Sequence, residues 1–497
     1  MVNALLIYPE FPDTFWSFKH ALSLLGKKSA FPPLGLMTVA AMLPETWNRR
    51  LVDMNVGPLR DSDIEWADII LASAVQIQRQ SLRRLIKRCK SHNKTVVIGG
   101  PYTSTCPEDT HGADHVFIGE AEETFPMFLR DLSNGEAKPV YRSTQLPALS
   151  STPVPDFSLV DVNLYSDMSV QFSRGCPFQC EFCDIIEIYG RVPRTKSNQQ
   201  VIAELESLRQ NGWSKDVFMV DDNFIGNKRE VKRLLRALIE WSEEHGHPFC
   251  FITEASVNLA DDAELLDLMR RANFRRVFVG IETPIETSLK EARKGQNTRR
   301  DLHQAVQKIQ SFGLEVMAGF IVGFDNDPEN IFDLQIEFIR ESAIPISMVS
   351  LLAAIPMTQL WRRLEREGRL LNIRWEGDNT ECELNFVPHM DSQRLVDGYK
   401  TILRSIYDPP AYYRRALASL ERVVRDHSPK SPHVLSFNDV LSLGRLTFKL
   451  GVWDNARLDF WRYMRKVITS HRERFEDGVV LAAIGYHLRK LTEIYCA

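Results

Sequence analysis

The sequence predicts an α/β protein with three consecutive parts: an N-terminal doubly wound, Rossmann-like domain, a partial (β/α)6 barrel and a C-terminal helical extension. Short apolar runs alternate with helical patterns over the first 384 residues, which is the arrangement of parallel sheets covered by helices. A segment rich in Pro, Ser and Thr at 132–160 divides this region into two blocks and predicts a linker. From residue 385 the alternation stops, and helical patterns continue to the end of the chain.

The composition is typical of a globular protein, since 44% of the 497 residues are hydrophobic and 25% are charged. A net charge of −4 gives no support for nucleic acid as a partner. The sequence has no apolar run of transmembrane length and no signal-peptide pattern at its start. We therefore expect a cytoplasmic protein. Five scattered cysteines are expected to be free thiols, which suits a reducing compartment: Cys89, Cys106, Cys250, Cys382 and Cys496.

The first block, residues 1–131, contains five apolar runs that predict parallel strands at 3–8, 51–54, 68–74, 95–99 and 115–118. In doubly wound sheets ligands bind at the carboxyl ends of the strands. Glycines at those ends allow the backbone to approach a large ligand closely. The candidate ligand-binding residues of this block are therefore Gln76, Gly99, Gly100, Tyr102 and Glu120.

The second block, residues 161–384, predicts six further strands, at 169–172, 217–220, 249–252, 277–280, 315–318 and 347–352. Helical patterns separate them, as at 198–211, 228–245, 262–272 and 300–312. Active sites of β/α barrels lie at the carboxyl ends of the strands. The residues that follow each strand are therefore the candidates for ligand binding in this block.

Three cysteines follow the first strand of the second block, as Cys176, Cys180 and Cys183 in a C-x-x-x-C-x-x-C pattern. Thiolates at this spacing can hold one corner of an iron–sulfur cube, and three ligands leave one of its four irons open. A zinc site is a weaker interpretation because it needs a fourth Cys or His, and none follows within the next sixty residues. Buried structural cysteines have no reason to cluster in this way, and a cluster that only transfers electrons normally has four protein ligands.

This pattern, with Phe182 before its last cysteine, resembles the signature of the radical S-adenosylmethionine (SAM) superfamily. The resemblance implies that the three cysteines hold a [4Fe-4S] cluster which binds SAM at its open iron, with no catalytic side chain beyond the cluster. The SAM amine could be bound at Asp221, Asp222 or Asn223, and carboxylates suit such a cation. A carboxylate at a strand end can instead be a helix cap. The SAM-binding residues that the resemblance implies are Phe182, Asp222, Glu254, Glu282, Gly319 and Gly323.

The first block resembles the cobalamin-binding domain that precedes many radical SAM domains. Its landmarks are Phe-Pro-Pro-Leu-Gly-Leu at 31–36 and Gly-Gly-Pro at 99–101. The resemblance implies cobalamin at the ligand-binding residues of this block. The D-x-H-x-x-G motif is absent, which implies cobalamin without a histidine ligand. The alternative is a Rossmann-like domain that is kept only for architecture.

Segments 171–178 and 220–228 resemble a branch that includes hopanoid C-2 methyltransferases and bacteriochlorophyllide side-chain methyltransferases. The resemblance implies a SAM-dependent C-methyltransferase, of EC 2.1.1 type, acting on an unactivated carbon of a large hydrophobic substrate of either class. A SAM-derived radical would remove a hydrogen atom from that carbon, and methylcobalamin would supply the methyl group. The electron would come from a low-potential donor such as flavodoxin or ferredoxin.

Two other functions remain compatible with the sequence. A cobalamin-dependent radical SAM enzyme can catalyse a rearrangement, cyclisation or oxidation without methylation, and the mass of the product would distinguish these outcomes. The other alternative is a non-catalytic iron–sulfur binding protein. The carboxylates at successive strand ends favour a SAM site over this second alternative.

The C-terminal extension, residues 385–497, is basic, because residues 391–497 contain 18 Lys and Arg against 12 Asp and Glu. A helical pattern at 456–468 places five apolar residues on one face: Leu458, Trp461, Met464, Val467 and Ile468. We expect this stripe to be core packing. Two alternatives are a lid over a bulky apolar substrate and a basic face in peripheral contact with a membrane.

Overall fold

The computed structural model of the protein describes residues 1–373, 376–378, 380–424 and 437–496. It contains two parallel sheets of six strands each, and a helical region follows the second sheet. The predicted fold class is therefore confirmed in all three parts. Residues 425–436 and 497 of the predicted C-terminal extension lie outside the described ranges.

The N-terminal sheet is built from β1 (Asn3–Tyr8), β2 (Asn48–Asp53), β3 (Ile69–Ser73), β4 (Thr95–Gly99), β5 (His115–Ile118) and β6 (Val140–Arg142). Its helices are α1 (Lys19–Leu25), α2 (Leu34–Ala41), α3 (Asp61–Trp66), α4 (Arg79–Ser91), α5 (Pro101–Thr105) and α6 (Ala121–Ser133). The strand order is β2-β1-β3-β4-β5-β6, and all neighbours are parallel. The order reverses between β1 and β3, which is the point where doubly wound sheets bind ligands.

Strand β6 lies within the segment 132–160 that the sequence predicts as a linker. It pairs in parallel with β5 and adds a sixth strand to the sheet. Tyr141, at its centre, is buried and stacks on Phe117 with the ring centroids 5.3 Å apart. The strand has three residues and only one of them faces the core, so an apolar periodicity could not indicate it.

The second sheet is built from β7 (Met168–Val170), β10 (Asp216–Met219), β11 (Cys250–Ala255), β12 (Phe274–Glu282), β13 (Glu315–Val322) and β14 (Ser347–Leu351). A short antiparallel pair, β8 (Ser173–Arg174) and β9 (Arg194–Thr195), lies between β7 and β10 in the chain. The accompanying helices are α7 (Ile185–Ile188), α8 (Asn198–Gln210), α9 (Lys228–Glu244), α10 (Ala263–Arg271), α11 (Glu286–Glu291), α12 (Leu302–Ser311), α13 (Ile331–Glu341) and α14 (Gln359–Arg366). The order β7-β10-β11-β12-β13-β14 leaves β7 and β14 as edges, so the barrel is partial.

The helices around the barrel begin where polar caps precede apolar faces. The side chains of Ser197, Asn227, Asp262 and Asp301 each accept a hydrogen bond from a backbone N–H in the first turn of the following helix. Such caps satisfy donors that have no partner inside the helix. These residues explain why the predicted helix starts agree closely with the observed ones.

The interior face of the barrel follows from the strand register. Val277, Val279 and Ile281 of β12 are fully buried in the core beneath the helices, so the alternate residues of this strand point to the interior. Phe278 pairs with Met317, and Gly280 pairs with Gly319. The middle of the barrel therefore combines two apolar side chains with two glycines.

The C-terminal region consists of α15 (Ser392–Tyr407), α16 (Pro409–Arg422), α17 (Phe437–Phe448), α18 (Arg457–Ser470) and α19 (Phe475–Tyr495). Helix α15 covers the β14 edge of the barrel, where the hydroxyls of Tyr399 and Tyr407 donate to backbone carbonyls of β14. His487 of α19 contacts the carbonyl oxygens of Thr14 and Phe15 at 3.2 Å. The region therefore binds both the barrel and the N-terminal domain. No helix in the described ranges has the length and apolar character needed to cross a membrane.

The stripe that the sequence predicts as core in α18 is split between the core and the surface. Met464 and Val467 are buried, whereas Leu458, Trp461 and Ile468 are between 46 and 64% exposed. The five residues span a wider arc than the face of α18 that packs against α16, α19 and the turn Lys449–Trp453.

We expect Gly398→Ala to destabilise the packing of α15 on α13 by about 1–3 kcal/mol, as overpacking does. A Cβ atom at Gly398 would lie 2.2 Å from the ring of Phe332. The measurement is the midpoint of thermal unfolding, which should fall.

Gly444→Ala is the matched control because Gly444 also lies inside a helix, and its Cβ would meet no atom within 4 Å. Alanine favours a helix by about 1 kcal/mol over glycine, so this variant should keep or raise the midpoint. Equal midpoints for the two variants would mean that the α13–α15 contact has room for a methyl group.

Candidate cluster and cofactor site

The segment that holds Cys176, Cys180 and Cys183, called the cysteine loop below, begins at a glycine that tolerates no side chain. Gly175 has φ +95°, and a Cβ atom there would lie 2.9 Å from the carbonyl oxygen of Gly190. Its N–H donates to Asp222 Oδ2 at 2.9 Å, and the N–H of Ser173 donates to Asp221. The two carboxylates at the end of β10 therefore attach the loop to the carboxyl edge of the barrel.

Two amide side chains donate to the cysteine sulfurs. Asn223 Nδ2 lies 3.7 Å from Cys176 Sγ, and Gln296 Nε2 lies 3.6 Å from Cys180 Sγ. Hydrogen bonds to thiolate sulfurs are one of the ways in which a protein sets the potential of an iron–sulfur cluster. The three cysteines, two of them with such donors, therefore fit a cluster. Gln296 was not predicted from the sequence, because it lies more than a hundred residues from the cysteines in the chain.

No three His, Cys, Asp or Glu side chains of the described residues converge as the ligands of a single metal ion would. The thiolates of an iron–sulfur cube bind different irons, so they lie farther apart than the ligands of one ion.

Three carboxyl groups cluster beside the cysteine loop. Desolvation raises the pKa of Asp221 to about 7, of Asp222 to about 6 and of Glu254 to about 8. Nearby negative charge adds to each shift, from Asp222 on Asp221 and Glu254 and from Asp184 on Asp222. A cation bound among these groups would lower their pKa values, because it favours the carboxylate forms. The arrangement therefore suits the amine of a SAM molecule.

Glu282 is buried beside Lys294, and the two form an ion pair. Desolvation lowers the pKa of Lys294, but the Glu282 carboxylate outweighs this and raises it to about 12. The Lys294 ammonium also lies 5.8 Å from the ring centroid of Phe182. Glu282 is therefore already paired, and Lys294 is a cation that the sequence analysis did not identify.

Gly319 and Gly323, which the radical SAM resemblance implies as SAM-binding residues, have different surroundings. A Cβ atom at Gly319 would lie 3.1 Å from the Phe278 ring, on the interior face of the barrel. Gly323 has φ +107°, and its N–H donates to Asp327 Oδ2 at 2.8 Å. A Cβ atom at Gly323 would lie 3.0 Å from Leu395 of α15. Gly319 thus keeps space inside the barrel, whereas Gly323 shapes the turn after β13.

A cavity of about 550 Å³ lies between the carboxyl edge of the N-terminal sheet and the first strands of the barrel. Gly99, Gly100 and Glu120, three of the candidate ligand-binding residues, line it. Gly100 has φ +103°, and a Cβ atom there would lie 2.4 Å from Ser73 Oγ. The barrel contributes Ser169, Gln171, Phe218, Val220 and Asp222, and the short helix α7 contributes Ile188.

Gln76 and Tyr102 lie away from this cavity lining. Tyr102 is buried in the N-terminal domain, where its hydroxyl contacts Asp109. Gln76 Oε1 lies 3.6 Å from Cys106 Sγ. Both residues are near the ends of β3 and β4, but the Tyr102 side chain points into its own domain, and the Gln76 side chain also lies against Gly377. Sequence position identifies the strand end and leaves the side-chain direction undetermined.

A buried ion cluster joins the N-terminal domain to the cysteine loop. Glu120 pairs with Arg174 and Arg194, and Glu122 Oε1 lies 2.8 Å from Arg174 Nη1. The side chains of Glu120 and Glu122 are each only 3% exposed. Glu120, predicted to bind a cofactor directly, is thus engaged by two arginines at the wall of the cavity. This contact was not predicted from the sequence, because the partners are far apart in the chain.

Fold and site together define a cobalamin-binding radical SAM protein. A model of the B12 binding domain matches residues 27–129, and a model of the radical SAM superfamily matches residues 170–338. A domain of unknown function (DUF4070) matches residues 358–497.

Curated relatives span nearly the whole chain. An uncharacterized methyltransferase, sll1242 of Synechocystis sp., is 42% identical, with 99% of this chain and 92% of the relative covered. The hopanoid C-2 methylase of Rhodopseudomonas palustris is 34% identical, with 97% and 92% covered. The bacteriochlorophyllide d C-12(1)-methyltransferase of Chlorobaculum tepidum is 23% identical over 77% of this chain and 84% of the relative. The chain belongs to the family of cobalamin-dependent radical SAM methyltransferases.

Solved structures share the fold. The cobalamin-dependent SAM radical enzyme OxsB, with aqua-cobalamin bound, is 15% identical with a TM-score of 0.63, and covers 99% of this chain and 81% of its own. The radical SAM methyltransferase TsrM of Kitasatospora setae is 14% identical with a TM-score of 0.61, and 99% of both chains is covered. The protein is therefore an enzyme whose cofactors are a [4Fe-4S] cluster, SAM and cobalamin.

We expect Gln296→Met to make the reduction potential of the cluster more negative. The change removes the N–H donor to Cys180 at nearly constant volume, and such a donor stabilises the more negative, reduced cluster. Gln296 Oε1 has no hydrogen-bond partner in the described structure, so little else is lost. The potential is measured by a redox titration followed by electron paramagnetic resonance.

Gln210→Met is the control, because the amide of Gln210 is exposed on α8 and contacts Glu206. Both variants should bind the same amount of iron as the unmodified protein. An unchanged potential in Gln296→Met would show that the contact has no electronic effect.

Proposed function

We propose that this enzyme methylates an unactivated carbon of a hopanoid, a polycyclic triterpenoid lipid. The observation that carries the proposal is the 34% identity to the hopanoid C-2 methylase over 97% of this chain. The similarity to the bacteriochlorophyllide methyltransferase is lower, at 23%, and covers less of the chain. A bacteriochlorophyllide is therefore the second substrate class to test.

The interior of the barrel supports an apolar substrate. Trp16, from a turn in the N-terminal domain, lies with its ring centroid 5.1 Å from that of Phe278. Trp16 is 49% exposed, and Met317 lies beside Phe278 on the interior face. Large apolar side chains that remain accessible at a site favour a hydrophobic ligand.

We infer that the cavity between the domains holds the corrin ring. The close approach of the backbone at Gly99 and Gly100 leaves room for a flat, bulky ligand at the edge of the sheet. The ion cluster of Arg174 and Glu120 fixes this wall relative to the cysteine loop. When bound, the cluster and SAM supply the radical that removes a hydrogen atom, and methylcobalamin supplies the methyl group.

The polar groups at the barrel edge position SAM. Asp222 and Glu254 lie beside the cysteine loop and suit the positively charged amine. Lys294 suits a carboxylate, and its ammonium is held in place by Glu282. Closure of the site between two domains excludes water from the reacting carbon. The one-electron reductant that we propose is a low-potential flavodoxin or ferredoxin.

We expect the anaerobically reconstituted protein to convert a hopanoid to a product that is heavier by one CH2 group. The reaction contains SAM, cobalamin and a reductant, and the product is measured by mass spectrometry together with 5′-deoxyadenosine.

Trp16→Ala should raise the KM for the hopanoid about tenfold, the order expected for one large aromatic contact. Trp66→Ala is the control, because Trp66 packs on Arg50 at the far side of the N-terminal domain.

Each other outcome has a distinct meaning. Methylation of a bacteriochlorophyllide but not of a hopanoid would show that the substrate belongs to the second class. A product with an unchanged number of carbon atoms would favour a rearrangement, cyclisation or oxidation and would contradict the proposal.

We expect Gly35→Phe to reduce the amount of bound corrinoid at least about tenfold, because an aromatic side chain fills the volume that the ring needs. Gly35 lines the cavity, and a Cβ atom there would meet no atom within 4 Å, so the side chain enters open space. Bound corrinoid is measured by absorbance after reconstitution and gel filtration.

Gly57→Phe is the matched control, since Gly57 also has open space around its Cβ and is outside the cavity lining. Both variants should keep their iron content. Full corrinoid binding by Gly35→Phe would place the corrin ring elsewhere.

A further inference from the structure

The C-terminal region carries an exposed apolar patch within fewer than twenty residues of sequence. We define it by five residues, each between 46 and 72% exposed: Phe448, Val452, Trp453, Leu458 and Trp461. Exposed large apolar side chains that occur singly are ordinary, but a contiguous group of them marks an interaction site. Neither the cysteine loop nor the cavity between the domains includes any of these residues.

The members of the patch are contiguous in space. The ring centroids of Phe448 and Trp453 are 6.4 Å apart. Trp461 Nε1 donates to the carbonyl oxygen of Gly451 at 2.9 Å, which brings α18 against the turn that holds Val452 and Trp453. Leu458 lies one turn before Trp461, on the same face of α18.

A single π-helical turn, Lys449–Trp453, produces this arrangement. It links α17 to α18 and turns Val452 and Trp453 outward, while Leu450 is buried in the core. π-Helical turns of this kind are often found at functional sites. The local backbone of this turn therefore places two successive apolar residues at the surface.

The surroundings of the patch are basic. Residues 449–472 contain six Lys and Arg against two Asp, and both aspartates are paired within the chain, Asp454 with Arg489 and Asp459 with Arg462. The side chains of Arg457, Arg465 and Lys466 are exposed. The surface around the patch therefore carries an excess of positive charge.

We infer that the patch is a docking surface for an anionic lipid bilayer. Tryptophan and phenylalanine side chains favour the interface between headgroups and acyl chains, and basic residues around them are attracted to anionic lipids. A second copy of this chain is a poorer occupant, because a symmetric contact would place the basic rims of the two copies against each other. The patch thus fits a bilayer better than a dimer.

The test is co-sedimentation of the full-length, reconstituted protein with vesicles, in the absence of substrate. Vesicles of phosphatidylcholine alone are compared with vesicles that also contain phosphatidylglycerol. We expect binding to the anionic vesicles that weakens as salt is added. The double variant Phe448→Ser/Trp453→Ser should bind about tenfold less, the order expected for two large apolar side chains. Arg457→Glu/Lys466→Glu should also lose binding to anionic vesicles.

Matched controls change similar side chains elsewhere on the surface. Val140→Ser/Val387→Ser removes two apolar side chains that are 48 and 47% exposed, and Arg130→Glu/Arg340→Glu reverses two exposed charges. Both controls should bind like the unmodified protein. Light scattering on each variant measures its oligomeric state.

Three results would overturn the inference. The unmodified protein could fail to sediment with anionic vesicles, or Phe448→Ser/Trp453→Ser could bind as well as the unmodified protein. The third result is a dimer of the unmodified protein that becomes a monomer in the patch variant, which would make the patch a contact between copies. Because the assay contains no substrate, failure of the proposed hopanoid reaction would not affect its outcome.

Discussion

The attachment of the cysteine loop to two aspartates is the contact on which the rest of the site depends. The backbone N–H groups of Ser173 and Gly175 donate to Asp221 and Asp222 at the end of β10, so the loop is fixed to the adjacent barrel strand. A backbone N–H that donates to a buried carboxylate stabilises its charged form, but desolvation outweighs this and raises the pKa of Asp221 to about 7 and of Asp222 to about 6. The contact therefore holds the loop of three cysteines beside two buried carboxyl groups.

The second constraint is the position of the N-terminal domain relative to the cysteine loop. The N-terminal domain reaches the cysteine loop through Glu120 and Glu122, whose partners Arg174 and Arg194 flank the loop on both sides. Removal of one partner from a buried ion cluster leaves an uncompensated charge and is strongly destabilising. Such a contact resists sliding of one domain against the other, so the cavity wall and the cysteine loop keep a defined distance.

The C-terminal region completes the molecule in two ways. Its helix α15 covers the β14 edge, where unpaired backbone groups would otherwise be exposed, and α19 contacts the turn that carries Trp16. Its surface carries the apolar patch, at the junction of α17 and α18. A hydrophobic substrate and a membrane-docking surface are physically compatible, because a lipid substrate partitions into the bilayer to which the enzyme would bind.

The sequence by itself determined the three-part fold and the strands of both sheets except β6, since the alternation of apolar runs and helical patterns is local. The spacing of the three cysteines, on which the predicted cluster site rests, is likewise a local pattern. The position of Gly99 and Gly100 at the end of a strand was also predictable, because the end of an apolar run is visible in the local sequence. Only the tertiary structure decided that Glu120 is paired with arginines, that Tyr102 and Gln76 point away from the cavity, and that Gln296 donates to Cys180. It also decided that three of the five residues of the α18 stripe are exposed. The physical reason is common to these cases: side-chain direction and long-range pairing depend on which elements pack together, and no pattern within a short segment contains that information.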